Sequence, residues 1–230
     1  ASAIADHHDG VVDAVHIVTV PDQTSLEYAA DHLEEYEEDY HAVLDQAKQD
    51  AEMFDVPVET HTIVSHRGFE EIFDVARTHD ADTVVMGWGP DSHGSPGRVE
   101  TTVDEVVGDI PCDFLVFRDR GLDPSHVLLP TAGGPDSDLS AAAARVLQSQ
   151  YDSDVTLLHV ADEGQEERGA EFLDRWADEH DLAGVNYRVE TGDVEDAIER
   201  AAEDATLLLI GATEQGLLSR LVSRSLVLDV

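Results

Sequence analysis

Short runs of branched apolar residues alternate with amphipathic segments along this 230-residue chain, and this alternation restricts the fold more than any other feature. Residues 84–86 and 207–210 are apolar at every position, which is typical of strands buried on both faces of a sheet. Helices between such strands indicate an α/β fold with parallel, doubly wound sheets. We predict strands near residues 13–20, 58–64, 82–88, 113–118, 126–131, 154–160, 185–190 and 205–211.

The longest amphipathic segment predicts one helix over about residues 25–54. Its apolar residues recur at helical spacing and should form one buried stripe. The stripe comprises Leu33, Tyr36, Tyr40, Val43, Leu44, Ala47 and Ala51.

The whole pattern occurs twice. Residues 14–18 resemble residues 157–161, and Gly87 follows Gly68 by 19 residues, as Gly211 follows Gly192. The polar segment 118–124 separates the halves. We therefore predict two tandem Rossmann-like domains, residues 1–120 and 121–230, each with strand order 3-2-1-4-5, packed as a pseudo-dimer within the chain.

The two halves differ at their ends. The first half has no counterpart of the strand near 126–131, and the second has none of the strand near 113–118. We expect the first repeat to lack its first strand unless upstream residues or another chain supply it. We expect the second repeat to lack its last strand.

Acidic residues exceed basic ones by 51 to 13, giving a net charge of −38. The excess indicates a surface adapted to molar salt; an acidic face for a basic partner is the alternative. It argues against nucleic-acid binding, which needs a basic footprint. No run of 18 apolar residues predicts a membrane span. The single cysteine, Cys112, excludes an internal disulfide framework and favours a reducing, cytoplasmic setting.

The twelve histidines do not predict a metal site, because neither His7-His8 nor His61 with His66 has the spacing of a known ligand set. His16 and His159 occupy equivalent strand positions and are expected to be half-buried, hydrogen-bonded imidazoles. No nucleophile elbow or Walker loop occurs. We predict no catalytic residues and no enzymatic activity.

Three features together resemble the universal stress protein family over essentially the whole chain. They are the strand end at 157–160, the turn at Gly192, and Pro111-Cys112 before a last strand. The resemblance implies a nucleotide-binding-type fold with a phosphate loop. That loop carries glycines at a first position and at three and thirteen residues beyond it, followed by Ser or Thr. Glycines there let backbone N–H groups approach phosphates at the positive end of a helix.

The first half departs from this loop at two positions. Gly87 matches the first glycine, Pro90 and Glu100 replace the other two, and Thr101 keeps the hydroxyl. Proline has no N–H to donate, and a glutamate would repel phosphates. The first half is therefore expected not to bind ATP.

The second half departs at the same two positions. Gly211 matches, Glu214 and Arg224 replace the other glycines, and Ser225 keeps the hydroxyl. Ala132 stands where the family tends to place an aspartate. Arg224 could still attract an anion, so the second half is the better candidate for a weakly bound ATP, AMP or other adenine nucleotide.

The candidate ligand crevice lies at the carboxyl ends of the strands. Trp88 could stack on a ligand base there, although packing against a neighbouring helix is the alternative. The candidate residues are Gly87, Trp88, Gly89, Thr101, Thr131, Gly133, Gly134, Val160, Gly192, Gly211, Arg224 and Ser225.

A narrower resemblance rests on the segments 19–24, 86–88, 130–135 and 211–218. Together they are similar to the tandem stress-protein domains that follow the membrane part of amino acid permeases in salt-loving archaea. This resemblance implies a cytoplasmic regulatory module whose partner is the permease portion of the same polypeptide. A free-standing universal stress protein that binds a nucleotide and a nucleotide-hydrolysing enzyme of the same architecture are the alternatives. The chain could also form a homodimer.

Overall fold

A computed structural model describes residues 1–36, 40–87, 112–117 and 121–211. The chain divides into two compact units, Ala1–Asp119 and Arg120–Val230. No helix among the described residues is long and apolar enough to cross a membrane.

Among its described residues, the first unit contains two parallel strand pairs. The first pair runs in register from Val12 opposite Val58 to Thr19 opposite Ser65, and the second from Thr83 opposite Asp113 to Gly87 opposite Phe117. These strands fall where the sequence predicts them. The elements are α1 (Ser2–His7), β1 (Val12–Thr19), α2 (Leu26–Asp31), α3 (Leu33–Tyr36), α4 (Tyr40–Met53), β2 (Val58–Ser65), α5 (Phe69–Thr78), β3 (Thr83–Gly87) and β4 (Asp113–Phe117).

The prediction of a single helix over residues 25–54 is wrong, because the first helix of this segment ends at Asp31 and His32 is not helical. There φ is −130° and ψ is 38°, outside the helical range. The His32 ring stacks on Tyr28, and its Nδ1 donates to the Tyr28 carbonyl oxygen at 2.8 Å. The residues of the predicted stripe also differ in burial. Leu44 is buried, whereas Val43 is 56% exposed.

The strands of the first unit are only partly covered. Among their described residues, Val18 and Ser65 alone are buried. β1 pairs with β2 and β3 with β4, and no described strand lies between β1 and β3.

The second unit contains one parallel sheet of four strands in the order β7-β6-β5-β8, which is order 3-2-1-4 within the repeat. This agrees with the predicted order for the four described strands. β8 is shorter than predicted, although Leu209 N still donates to Leu128 O at 2.9 Å. The elements are β5 (His126–Pro130), α6 (Asp138–Tyr151), β6 (Asp154–Ala161), α7 (Glu166–Glu179), β7 (Asn186–Thr191), α8 (Val194–Ala202) and β8 (Leu207–Leu208).

Both faces of this sheet are buried, because alternate residues of a strand point to opposite faces. On one face Leu129 and Leu157 pack with Trp176 of α7. On the other, Leu128 and Leu158 pack with Ala201 of α8. The packed sheet therefore supports the loops at the carboxyl ends of its strands.

Candidate functional site

The second unit gathers six of the predicted crevice residues at one edge of its sheet. Parallel strands end at the same edge, so the segments that follow them are neighbours there. These residues lie just beyond β5, at the end of β6, just after β7 and beyond β8. They are Thr131, Gly133, Gly134, Val160, Gly192 and Gly211.

The loop between β5 and α6 is held in a defined shape. Gly133 and Gly134 have φ of +79° and +92°, a region that favours glycine. The buried Thr131 hydroxyl accepts from Gly133 N at 3.0 Å and donates to the Ser137 hydroxyl at 3.1 Å. A Cβ at Gly133 would also lie 3.3 Å from the Phe172 ring. Side chains and backbone therefore fix this turn together.

His159 joins β6 to the same loop. Its Nδ1 donates to the Thr131 carbonyl oxygen at 3.0 Å, and its ring centroid lies 4.6 Å from that of Phe172. The prediction of a half-buried, hydrogen-bonded imidazole at this position is thus confirmed.

An open depression of about 410 Å³ lies between the end of β6 and the start of α7, and His159, which is hydrogen-bonded to the loop after β5, lines it. Arg168 is the one basic residue among its described lining residues, and its Nη1 donates to Gln165 Oε1 at 2.8 Å. Asp162 supplies a nearby negative charge. The lining residues are His159, Val160, Ala161, Asp162, Gln165, Arg168 and Gly169.

Sequence reasoning found Val160 but missed Gln165 and Arg168. Both lie at the start of a helix and belong to no motif. The useful signal was topological, because the first turn of a helix that follows a parallel strand lies at the edge where that strand ends.

The amino-terminal end of α8 also lies at this edge, but a side chain of the same segment already accepts hydrogen bonds from its free backbone N–H groups. Gly192 turns the chain with φ of +103°. The Asp193 carboxylate then accepts from Glu195 N at 2.9 Å and Asp196 N at 3.2 Å. The cap uses donors that an anion would need, and the acidic first turn repels a phosphate. An anionic ligand is better accommodated at the loop after β5 and the depression beside it.

Two other arginines of the second unit form hydrogen bonds with a carboxylate on β7. Arg200 and Arg188 donate to Glu190 at 3.0 Å and 2.9 Å. The hydrogen bond from Arg200, followed by that from Arg188, lowers the pKa of Glu190 below its usual value. This cluster ties β7 to α8.

The first unit presents Gly87 at the corresponding edge, as the last residue of β3 opposite Phe117. The other predicted crevice residues lie outside the described residues, and the predicted phosphate loops therefore stay predictions. The residues outside the described ranges are Trp88, Gly89, Thr101, Arg224 and Ser225, together with the loop replacements Pro90, Glu100 and Glu214.

Comparison with known proteins places the chain among relatives of the same architecture. Residues 1–118 match the universal stress protein family. The fold is similar to a universal stress protein from Archaeoglobus fulgidus DSM 4304, at 15% identity and a TM-score of 0.60, covering 96% of this chain and 83% of that one. It is also similar to a functionally unknown protein from Pseudomonas aeruginosa PAO1, at 15% identity and a TM-score of 0.55, covering 92% and 86%. No curated protein matches this chain.

Proposed function

The chain belongs to the universal stress protein family, and on that premise we propose that it is a regulatory domain that senses an adenine nucleotide or a similar small metabolite. The proposed binding site is the carboxyl edge of the sheet in the second unit. Family membership supports a nucleotide-binding-like regulatory role, and the local geometry supports this location for it.

The observation that carries the proposal is the fixed loop after β5 beside the depression. β5 is the point where the chain changes direction across the sheet, since β6 lies on one side of it and β8 on the other. Ligands of open parallel sheets bind in the crevice at such a point. The loop from Thr131 to Gly134 is already ordered, so little further ordering would be needed on binding.

The charges near the depression favour weak binding of a ligand with few phosphates. Arg168 supplies one positive charge, whereas Asp162 opposes an anion. A chain with a net charge of −38 also repels polyanions over a distance set by the salt. We therefore expect AMP to bind at least as well as ATP.

The chemistry of the depression favours sensing over catalysis. Its described lining residues include no serine, threonine or cysteine. The Nδ1 atom of His159 is engaged with a backbone carbonyl oxygen. Such a site has few means to activate a nucleophile. Nucleotide hydrolysis remains the alternative to test.

The resemblance to permease-linked stress-protein domains supports a finer proposal, that this domain regulates an amino acid transporter to which it is fused. The alternative is a free-standing stress protein. The full reading frame distinguishes them, because only the first proposal requires a stretch of membrane helices in the same polypeptide.

Calorimetric titration with AMP and with ATP in molar KCl tests the binding site. Arg168→Glu removes the one positive charge among the described lining residues of the depression. Ala132→Glu places a carboxylate at an exposed position of the loop after β5. Each should weaken AMP binding about tenfold or more, equivalent to about 1.4 kcal/mol. Ser125→Glu is the matched control, because it adds the same charge to an exposed residue just before the same strand.

The proposal fails if the unmodified chain shows no saturable binding of either nucleotide. The proposed position of the binding site is refuted if Ser125→Glu weakens AMP binding as much as Ala132→Glu does. Release of phosphate or AMP from ATP during the titration would instead favour the enzymatic alternative.

A further inference from the structure

Three side chains of metal-ligating type converge in the first unit, away from the ends of the strands that carry the candidate ligand edge. Asp13 is the second residue of β1, His61 lies within β2, and His79 follows the last turn of α5. One ligand atom from each lies within 4.8 Å of the others. Three separate elements thus bring one carboxylate and two imidazoles together.

The distances within this cluster are uneven. His79 Nδ1 and Asp13 Oδ2 are 3.0 Å apart, a hydrogen-bonding distance. His61 Nε2 is 3.8 Å from Asp13 Oδ1 and 3.8 Å from Glu59 Oε2. Those separations are too long for hydrogen bonds, whose N···O distances reach about 3.2 Å. His61 Nε2 therefore faces two carboxylate oxygens without bonding to either.

His61 Nε2 is also shielded from solvent, and it has no hydrogen-bond partner among the described residues. A buried polar atom without a partner is costly, and each such atom in a native structure calls for an explanation. A bound cation provides one. Two ligand atoms of a tetrahedral zinc ion, each about 2.1 Å from it, are about 3.4 Å apart. The separations of 3.0 Å and 3.8 Å lie on either side of that value, and the widest, 4.8 Å, must shorten when an ion binds.

We propose that Asp13, His61 and His79 bind a divalent transition-metal ion of the Zn²⁺ class. Imidazole and carboxylate are common zinc ligands, whereas Mg²⁺ and Ca²⁺ prefer sites built only from oxygen. The ion joins β1, β2 and the end of α5. It acts as a structural clip in a unit whose strands are only partly buried.

The second unit offers an internal comparison. In the repeat register that aligns His16 with His159, the strand pairings place His61 opposite Val15 and Arg188 opposite Leu158, at equivalent positions. Arg188 lies 2.9 Å from Glu190 and 3.6 Å from Asp204. At this position the second unit thus carries a positively charged side chain among its carboxylates. The first unit carries imidazoles, which leave the positive charge to be supplied by a bound ion.

The direct test is titration of the metal-stripped 230-residue chain with ZnCl₂ in molar KCl, followed by calorimetry. We expect one tight equivalent of zinc, and binding at least tenfold weaker in His61→Gln and in His79→Gln. Asp13→Asn keeps the shape of the side chain and should weaken zinc binding without unfolding the unit. His180→Gln is the matched control, because His180 Nε2 lies 3.5 Å from Asp138 Oδ1 with no second imidazole in the pair.

A second readout is the thermal midpoint. Zinc should raise it for the unmodified chain and for His180→Gln, but not for the His61, His79 or Asp13 variants. The proposal is overturned if the unmodified chain binds no zinc, or if the cluster variants bind it as tightly as the control does. Displacement of zinc by an equal concentration of Mg²⁺ would also overturn it, since that marks a site made of carboxylates alone.

Discussion

Replacing Gly169 with alanine tests how closely α7 packs on the sheet of the second unit. A Cβ at this position would lie 2.9 Å from Val189 Cγ1, 3.2 Å from His159 Cδ2 and 3.4 Å from Ala161 Cβ. Carbon atoms pack best at about 3.5–4.0 Å, so the new methyl group must displace the helix or β7 by roughly 0.6 Å or more. Valine is stiff at χ1 and cannot move aside easily.

Two effects of the substitution oppose each other. Overpacking of this kind costs about 1–3 kcal/mol, whereas replacing a helical glycine with alanine contributes about 1 kcal/mol of helix propensity. We expect overpacking to outweigh propensity, with a net loss of up to about 2 kcal/mol in the free energy of unfolding. Urea denaturation in molar KCl, followed by circular dichroism, measures this difference.

The double variant Gly169→Ala with Val189→Ala is the control for mechanism. Removing the Val189 methyl groups should relieve the clash, so the double variant should lose less stability than the sum of the single variants. If Gly169→Ala is as stable as the unmodified chain, helix propensity outweighs packing and the close approach of α7 does not limit stability. Strict additivity of the two substitutions would show that the clash is not with Val189.

Three further results are expected. Asp193→Ala should lower the free energy of unfolding by about 1 kcal/mol, because it removes the cap of α8; Glu195→Ala is its control, and equal losses would contradict the capping role. The pKa of Glu190 is lowered in the folded chain. The ionised carboxylate therefore stabilises the fold at pH values above the usual glutamate pKa of about 4.3. This stabilisation is lost as the pH falls through the lower pKa that Glu190 has in the folded state. Glu190→Gln should therefore cost at most about 1 kcal/mol at pH 7 and progressively less below about pH 4, and a cost independent of pH between 3 and 7 would refute the assignment. With a net charge of −38, the chain should lose thermal stability as KCl falls from about 1 M to 0.1 M, where the screening length grows from about 3 Å to 10 Å; an unchanged midpoint would contradict salt adaptation.

The strands were predictable because their signal is local. Short segments rich in valine and leucine, such as residues 126–130 and 154–161, identified strands to within a few residues. The helix near residues 25–54 was mispredicted for the opposite reason. The interaction of His32 with the Tyr28 carbonyl oxygen competes with the helix there, and hydrophobic periodicity carries no information about such a bond.

The candidate site was predictable only in part. Glycines with positive φ, such as Gly133 and Gly192, mark turns at strand ends in the sequence itself. Arg168 carries no such mark, because its role depends on where α7 begins relative to β6. The three proposed metal ligands were not predicted together, because they come from three elements. His61 has no suitable neighbour in sequence, and only the fold brings His79 and Asp13 to it.

Chemical-shift mapping with AMP on the ¹⁵N-labelled chain in molar KCl tests most directly where the ligand binds. The account predicts concentration-dependent shifts of the backbone amides of Thr131, Gly133, Gly134, Val160 and Arg168. The chemical shifts of the Asp13 and His61 amides in the first unit should not change. Saturable shifts centred on Gly87, with none at the loop after β5, would show that the ligand binds the first unit and would contradict the account.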